Sequence, residues 1–259
     1  MQTVTDTNQT TISETEVIRP FGPSILKTKI PPVVLQDLIE VFENHEKSTD
    51  HSLNLAGNMY REFTIDDKVL PGEKAKRFVQ MLGDGSGEIY KVQRLIQWEN
   101  TKRSCNSKHY EIVNTRIQNM SLTASILQSW GNISKAGDFN PMHTHSGMIS
   151  GVGYVKIPDN IEYEWECEDH DVSAGCIQFT NGAMQGLNVH SFRLKPEVGD
   201  LYFFPAWLMH EVYPFRSKGE RWSFSFNTNV DNLNADLELT DADKIMIHEH
   251  REKMLGRES

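Results

Sequence analysis

Two short stretches carry the residue types that could do chemistry. Phe139-Asn-Pro-Met-His143-Thr-His145-Ser-Gly147 holds two histidines at i and i+2, and Phe204-Pro-Ala-Trp-Leu-Met-His210 supplies a third far downstream. On a strand or extended loop, positions i and i+2 project from the same side, so His143 and His145 can share one ion. Two ligands from one segment and one from a distant strand leave an open coordination face. A redox metal that must also take oxygen and a substrate needs such a face. His143, His145 and His210 are therefore the candidate metal ligands and the catalytic centre.

The strand after His210 adds a second piece of chemistry. In Arg221-Trp-Ser223-Phe-Ser225-Phe226 the arginine and serines share one phase and the aromatics the other. With the aromatic face packed under helices, Arg221, Ser223 and Ser225 point inward. An inward guanidinium is costly unless something anionic meets it, and this strand's inner phase has no acid. A carboxylate ligand gripped by Arg221 is one reading; an internal ion pair with a remote acid such as Asp200 is the other.

The elements that must position these groups follow from periodicity. Ile18 to Ile30 reads as loop plus edge strand. Pro31-Pro32 opens a helix carrying Val34, Leu35, Leu38, Val41 and Phe42 at helical spacing. Leu53 and Leu55 alternate around Asn54 in a mixed stretch up to Thr64. A second helix covers Glu73–Leu82; the Gly83-Asp-Gly-Ser-Gly87 cluster interrupts it, and a third helix spans about Ile89–Trp98. No strand precedes the glycines and no GK[ST] follows, so they form a turn and not a phosphate cradle.

From Ser121 the period falls to 2. Strands are expected at Leu127–Ile133, Ile149–Ile157, Ile161–Cys167, Cys176–Thr180, Asn188–Leu194, Asp200–Phe204, Glu211–Phe215 and Arg221–Asn229, in the even spacing of a sandwich or jelly roll. Thr240 then caps a C-terminal helix with Asp243 three residues on. His248 and His250 lie on that helix, where i and i+2 diverge by about 200°, so they cannot hold one ion. The expected organisation is a flexible arm (1–17), a helical and mixed elaboration (18–120), a β core (121–232) and a C-terminal helix (233–259).

The net charge of −10 excludes a general nucleic-acid binder, which needs a basic surface. Cys105, Cys167 and Cys176 form no CxxC pair and fit reduced thiols in a reducing, cytoplasmic setting. No apolar run approaches the roughly 20 residues of a membrane span, and the polar start lacks a signal core. Expected partners are O2 and a peptide or small-molecule substrate, without nucleic acid or membrane; a homodimer is left open.

The motifs together resemble the double-stranded β-helix of Fe(II)/2-oxoglutarate-dependent oxygenases, whose pattern is H-x-(D/E), a distant His, then Arg-x-Ser. More narrowly, Trp130-x-Asn132, Phe139-Asn-Pro-x-His143-x-His145-Ser-Gly, Ser150-Gly-x-x-Tyr154, Gly199-Asp-x-x-x-Phe-Pro-Ala and Glu220-Arg-x-Ser-x-Ser-x-Asn227 are similar to oxygenases of bacteria and tailed phages. The resemblance implies a mainly β fold, a jelly-roll or cupin-like barrel with an N-terminal helical elaboration. It implies Fe(II) as cofactor and 2-oxoglutarate as co-substrate, with hydroxylation of the substrate and release of succinate and CO2.

Carried over by position, His143 and His210 are iron ligands and Arg221 binds the distal carboxylate of 2-oxoglutarate beside Ser223. Tyr154 is either a second donor to that carboxylate or a core tyrosine with its OH at the rim, and Asn132 and Trp130 either line the mouth or pack. His145 stands where an acid is expected. In a second register His145 is the first ligand and Gly147 leaves the acidic position vacant. Asp138–Gly147 and Glu168–Gly175 are candidate lids. A cupin-like three-histidine dioxygenase without 2-oxoglutarate, and a non-catalytic jelly-roll binding module, are the competing readings.

Overall fold

The computed structural model describes residues 16–18, 22–52, 57–100, 102, 105–166, 172–186, 188–232 and 239–256. The expected arm over residues 1–15, the pair Leu53/Leu55, Cys167 and the first part of the Glu168–Gly175 lid lie outside them. Eleven strands are described: β1 (Glu16–Ile18), β2 (Ile25–Lys29), β3 (Arg61–Thr64), β4 (Leu122–Ser134), β5 (Asn140–His143), β6 (Ile149–Lys156), β7 (Ile177–Thr180), β8 (Ser191–Leu194), β9 (Asp200–Pro205), β10 (Met209–Val212) and β11 (Arg221–Asn232). The helices are α1 (Pro32–Glu43), α2 (Glu73–Glu99), α3 (Ser107–Gln118), α4 (Glu162–Trp165) and α5 (Asp241–Met254).

The larger sheet has the order β1-β2-β9-β6-β11-β4-β3 and the smaller β5-β10-β7-β8. From β4 to β11 the chain passes repeatedly from one sheet to the other, and neighbours within each sheet are antiparallel. Eight strands ordered 4-11-6-9 against 5-10-7-8 make a jelly roll, the double-stranded β-helix. β2 is not the edge strand expected from its sequence, because β1 pairs along its outer side.

Helices cover the outer face of the larger sheet, and β11 shows why. Its Trp222 stacks on Phe42 of α1 at 5.5 Å, and Phe224 meets Phe78 of α2 edge-on at 5.5 Å. Residues of opposite phase, Arg221 and Ser223, are buried on the inner face between the sheets. Aromatic rings of the outer face sit over glycines of the neighbouring strand. Phe63 lies on Gly131, Phe224 on Gly153 and Phe226 on Gly151, each in direct register, and an added Cβ at any of them would come within 2.2 to 2.3 Å of the ring.

Two further expectations fail. The glycine cluster does not break its helix: α2 runs from Glu73 to Glu99 straight through Gly83, Gly85 and Gly87. Gly85 faces the sheet, where a Cβ would lie 2.0 Å from Phe203 Cζ. Close packing, not a turn, requires that glycine. The predicted strand Ile161–Cys167 is instead the single turn α4. Ile161 is fully buried, Trp165 donates to the Ala174 carbonyl at 2.8 Å, and the Glu164 carboxylate accepts from the backbone amides of Arg216 and Ser217. These contacts with a distant loop outweigh the local alternation of apolar and acidic residues. At the C-terminus Thr240 and Asp243 form the expected reciprocal cap, and Arg116 of α3 pairs with Asp243.

Candidate active site

The two histidine-bearing stretches meet because their strands pair. His143 on β5 stands directly opposite His210 on β10. Beyond β5 the chain is tied to the β9–β10 turn, the His145 amide donating to the Ala206 carbonyl at 2.9 Å. The three rings gather with centroids 4.3 to 5.0 Å apart. One ligand atom from each lies within 4.8 Å of the others, the one metal-competent cluster among the described residues.

Their second nitrogens fix the tautomers. His143 Nδ1 donates to the carbonyl two residues back, Pro141 O, at 2.6 Å, and His210 Nδ1 likewise to Leu208 O at 2.8 Å. A ring whose Nδ1 carries the proton presents a bare lone pair at Nε2. His210 Nε2 and His145 Nε2 are 3.2 Å apart, close to the roughly 3 Å expected of two donors each about 2.1 Å from one ion at a right angle. Burial keeps the imidazoles neutral. It pushes His210 down to about 3 and His145 to about 4, with the neighbouring histidines adding to the effect, and it lowers His143 as well. Phe204 and Phe179 wall the buried His210, and Trp130 packs on His145 at 5.5 Å. The donor set fits a divalent transition metal.

Gly147 does not face this centre. Its φ is +90°, and a Cβ there would lie 2.9 Å from Leu127 Cδ1 and 3.0 Å from the Thr228 carbonyl oxygen. A side chain at this position would meet β4 and β11 and not the imidazoles. The geometry supports the register in which His143, His145 and His210 form the set, over the one with a vacancy at Gly147.

Arg221 lines the same pocket as the three histidines, together with Trp130, Asn132, Tyr154 and Ser223. Its guanidinium is 2 % exposed, donating from one Nη to the Gly175 carbonyl at 2.9 Å and from the other to Ser134 Oγ at 3.0 Å; its Nε has no partner. The alternative of an internal pair with Asp200 is excluded. That carboxylate is held by Lys27, Lys29 and the Tyr202 hydroxyl. Among the described residues no acid bonds Arg221, and burial drives its proton affinity down. Tyr154 is opposite Ser223 across the β6–β11 ladder; burial raises its phenol, so it remains a donor. Asn132, opposite Ser223 on β4, donates to Ser225 Oγ at 3.3 Å.

The sequence-derived candidates thus converge on one pocket. His248 and His250 are far from it on α5, where His250 meets Ser107. Of the two expected lids, Asp138–Gly147 contains β5, and Asp138 is fixed by the amides of Tyr60 and Lys135. Sequence reasoning missed Met59 and Asn140 in the lining. Asn140 was visible inside the histidine motif, whereas nothing in the sequence brings residue 59 to the barrel.

Residues 128–227 match the family model described as "Putative 2OG-Fe(II) oxygenase". No curated protein sequence matches. Similar solved structures include a Pseudomonas putida prolyl-4-hydroxylase, 14 % identical over 78 % of this chain and 91 % of that one, with a TM-score of 0.42. A Trichoplax adhaerens prolyl hydroxylase, in complex with a hypoxia inducible factor oxygen degradation domain peptide fragment, is 14 % identical over 79 % and 82 %, at 0.43. HygX from Streptomyces hygroscopicus, with nickel and 2-oxoglutarate bound, is 9 % identical over 81 % and 83 %, at 0.44.

Proposed function

We propose that this chain, whose residues 128–227 match the 2OG-Fe(II) oxygenase family model, is an Fe(II)- and 2-oxoglutarate-dependent hydroxylase acting on a peptide or small molecule. One observation carries the reading: a buried guanidinium that no acid among the described residues bonds opens into the same pocket as three neutral imidazoles. His143, His145 and His210 would hold the metal. Arg221, with Ser223 and Tyr154, would hold the far carboxylate of the co-substrate. Iron and 2-oxoglutarate, when bound, supply O2 activation coupled to oxidative decarboxylation of the co-substrate to succinate and CO2.

The chain's own residues would do the rest. The carbonyls of Pro141 and Leu208 hold two imidazoles in the tautomer that offers Nε2. Arg221 brings the counter-charge for a dianion, in a site whose all-imidazole set leaves the metal one unit more positive than a set with a carboxylate. The Tyr154 phenol donates without losing its proton. Val152, Ile177 and Phe204 line the pocket with apolar surface that excludes water.

The test is consumption of 2-oxoglutarate by purified protein with Fe(II) and ascorbate, read as succinate, together with the metal-to-ligand absorption band under argon. Neither signal appearing would sink the proposal. Arg221→Ala separates it from a three-histidine dioxygenase that needs no co-substrate: 2-oxoglutarate binding is lost in the first case, and O2 activation survives in the second.

A further inference from the structure

A second orphan charge projects from the sheet face that carries the pocket. β3 runs beside β4 with Glu62 opposite Asn132, Phe63 opposite Gly131 and Thr64 opposite Trp130. Directly opposed residues project from the same face of a sheet. Asn132 and Trp130 line the pocket with the histidines, so Glu62 projects from the pocket-bearing face, while Phe63 joins the helices behind. Met59, three residues upstream of Glu62, is itself part of the pocket wall.

Glu62 is 2 % exposed, and its Oε1 has no hydrogen-bond partner. Among the described residues no lysine, arginine or histidine pairs with it. Arg61, the nearest in sequence, turns to Asp50 and to the Ser48 carbonyl. Burial and the nearby Asp50 both oppose its charge, raising the carboxyl to about 7. A carboxylate in this state gains most from a ligand that brings a positive charge and N–H donors. Arg221 and Glu62 thus carry opposite charges that no ion pair among the described residues meets, both on the pocket-bearing face of the larger sheet, and 2-oxoglutarate can satisfy only the first.

We propose that Glu62 is a specificity-determining residue that binds a basic nitrogen, an ammonium or guanidinium, on the substrate. The inference rests on the hydroxylase reading and names the substrate's chemical class. An acidic or purely apolar substrate would leave Glu62 unpartnered at the edge of the site.

The experiment compares Nα-acetyl-lysine methylamide with its uncharged des-amino analogue Nα-acetyl-norleucine methylamide, by calorimetric titration of the metal-loaded protein under argon, with and without 2-oxoglutarate. Charge-assisted hydrogen bonding predicts tighter binding of the lysine probe by about tenfold or more. Glu62→Gln, a near-isosteric change, should abolish that preference, and Glu62→Asp should retain part of it. Equal or absent binding of the two probes, or a preference that survives in Glu62→Gln, overturns the proposal. Failure of 2-oxoglutarate to bind would remove the hydroxylase reading alone, because the titrations without it still report on Glu62.

Discussion

Replacing Arg221 by methionine should separate a residue kept for a ligand from one kept for the fold. In the ligand-free protein the substitution removes two hydrogen bonds, to Gly175 O and Ser134 Oγ, at a cost of about 1.5–3 kcal/mol each for a charged donor. It also removes a fully buried cation that no acid among the described residues bonds, and whose desolvation costs several kcal/mol. The two effects nearly cancel, so the variant should melt close to or above the parent. With ligand present the balance changes. Truncating one partner of a buried charge pair costs about 2–5 kcal/mol, or roughly 30- to 5000-fold in 2-oxoglutarate affinity.

The assay is thermal unfolding of the metal-loaded protein with and without 2-oxoglutarate at 100 times the parent's Kd. Ligand then stabilises the parent by about 2.7 kcal/mol, a rise of about 5–10 °C for a chain of this size. Arg221→Met should show almost none. The reasoning is refuted if the metal-loaded variant without 2-oxoglutarate is destabilised by several kcal/mol and still responds to the ligand. Arg221 would then be a structural residue.

Two further outcomes follow from particular contacts. Gly85→Ala would gain about 1 kcal/mol from helix propensity, but its Cβ would fall 2.0 Å from Phe203 Cζ; overpacking at about 1–3 kcal/mol or more should win, and urea unfolding of the variant should show net loss. Glu62 has a carboxyl raised to about 7 from an ordinary 4.5, so its contribution to stability is intact below about pH 4.5 and is lost as pH rises through about 7. The stability advantage of Glu62→Gln over the parent should therefore grow by on the order of 1–2 kcal/mol between pH 5 and 8, and a pH-independent difference would contradict this.

What the sequence revealed, and what it concealed, follows from the range of the contacts involved. The inward phase of Arg221 and Ser223 was readable because a strand's period of 2 separates its faces, and the aromatics at 222, 224 and 226 marked the one that packs. The distant His210 could be joined to His143 only through the whole motif, since no local signal encodes their pairing. The glycines of α2 read locally as a break, because glycine weakens helices, yet Gly85 is required by a ring from β9. The turn at Glu162–Trp165 alternates like a strand, but Glu164 is claimed by the backbone at 216 and 217. Glu62 was invisible for a similar reason: its face is set by the register of β3 against β4, which nothing near residue 62 specifies.

The seating of Phe63, Phe224 and Phe226 over Gly131, Gly153 and Gly151 has a consequence on the opposite side of the sheet. A slip of one residue would turn every inner side chain outward, and a slip of two would drive a phenyl ring onto a neighbour that has a Cβ. The notches therefore act as indexing teeth for β3, β4, β6 and β11. They set which of Glu62, Asn132, Ser223 and Tyr154 stand abreast, and with them the spacing between a carboxylate on the edge strand β3 and a guanidinium on the interior strand β11. The tolerance of the pocket is machined into the face that packs against the helices.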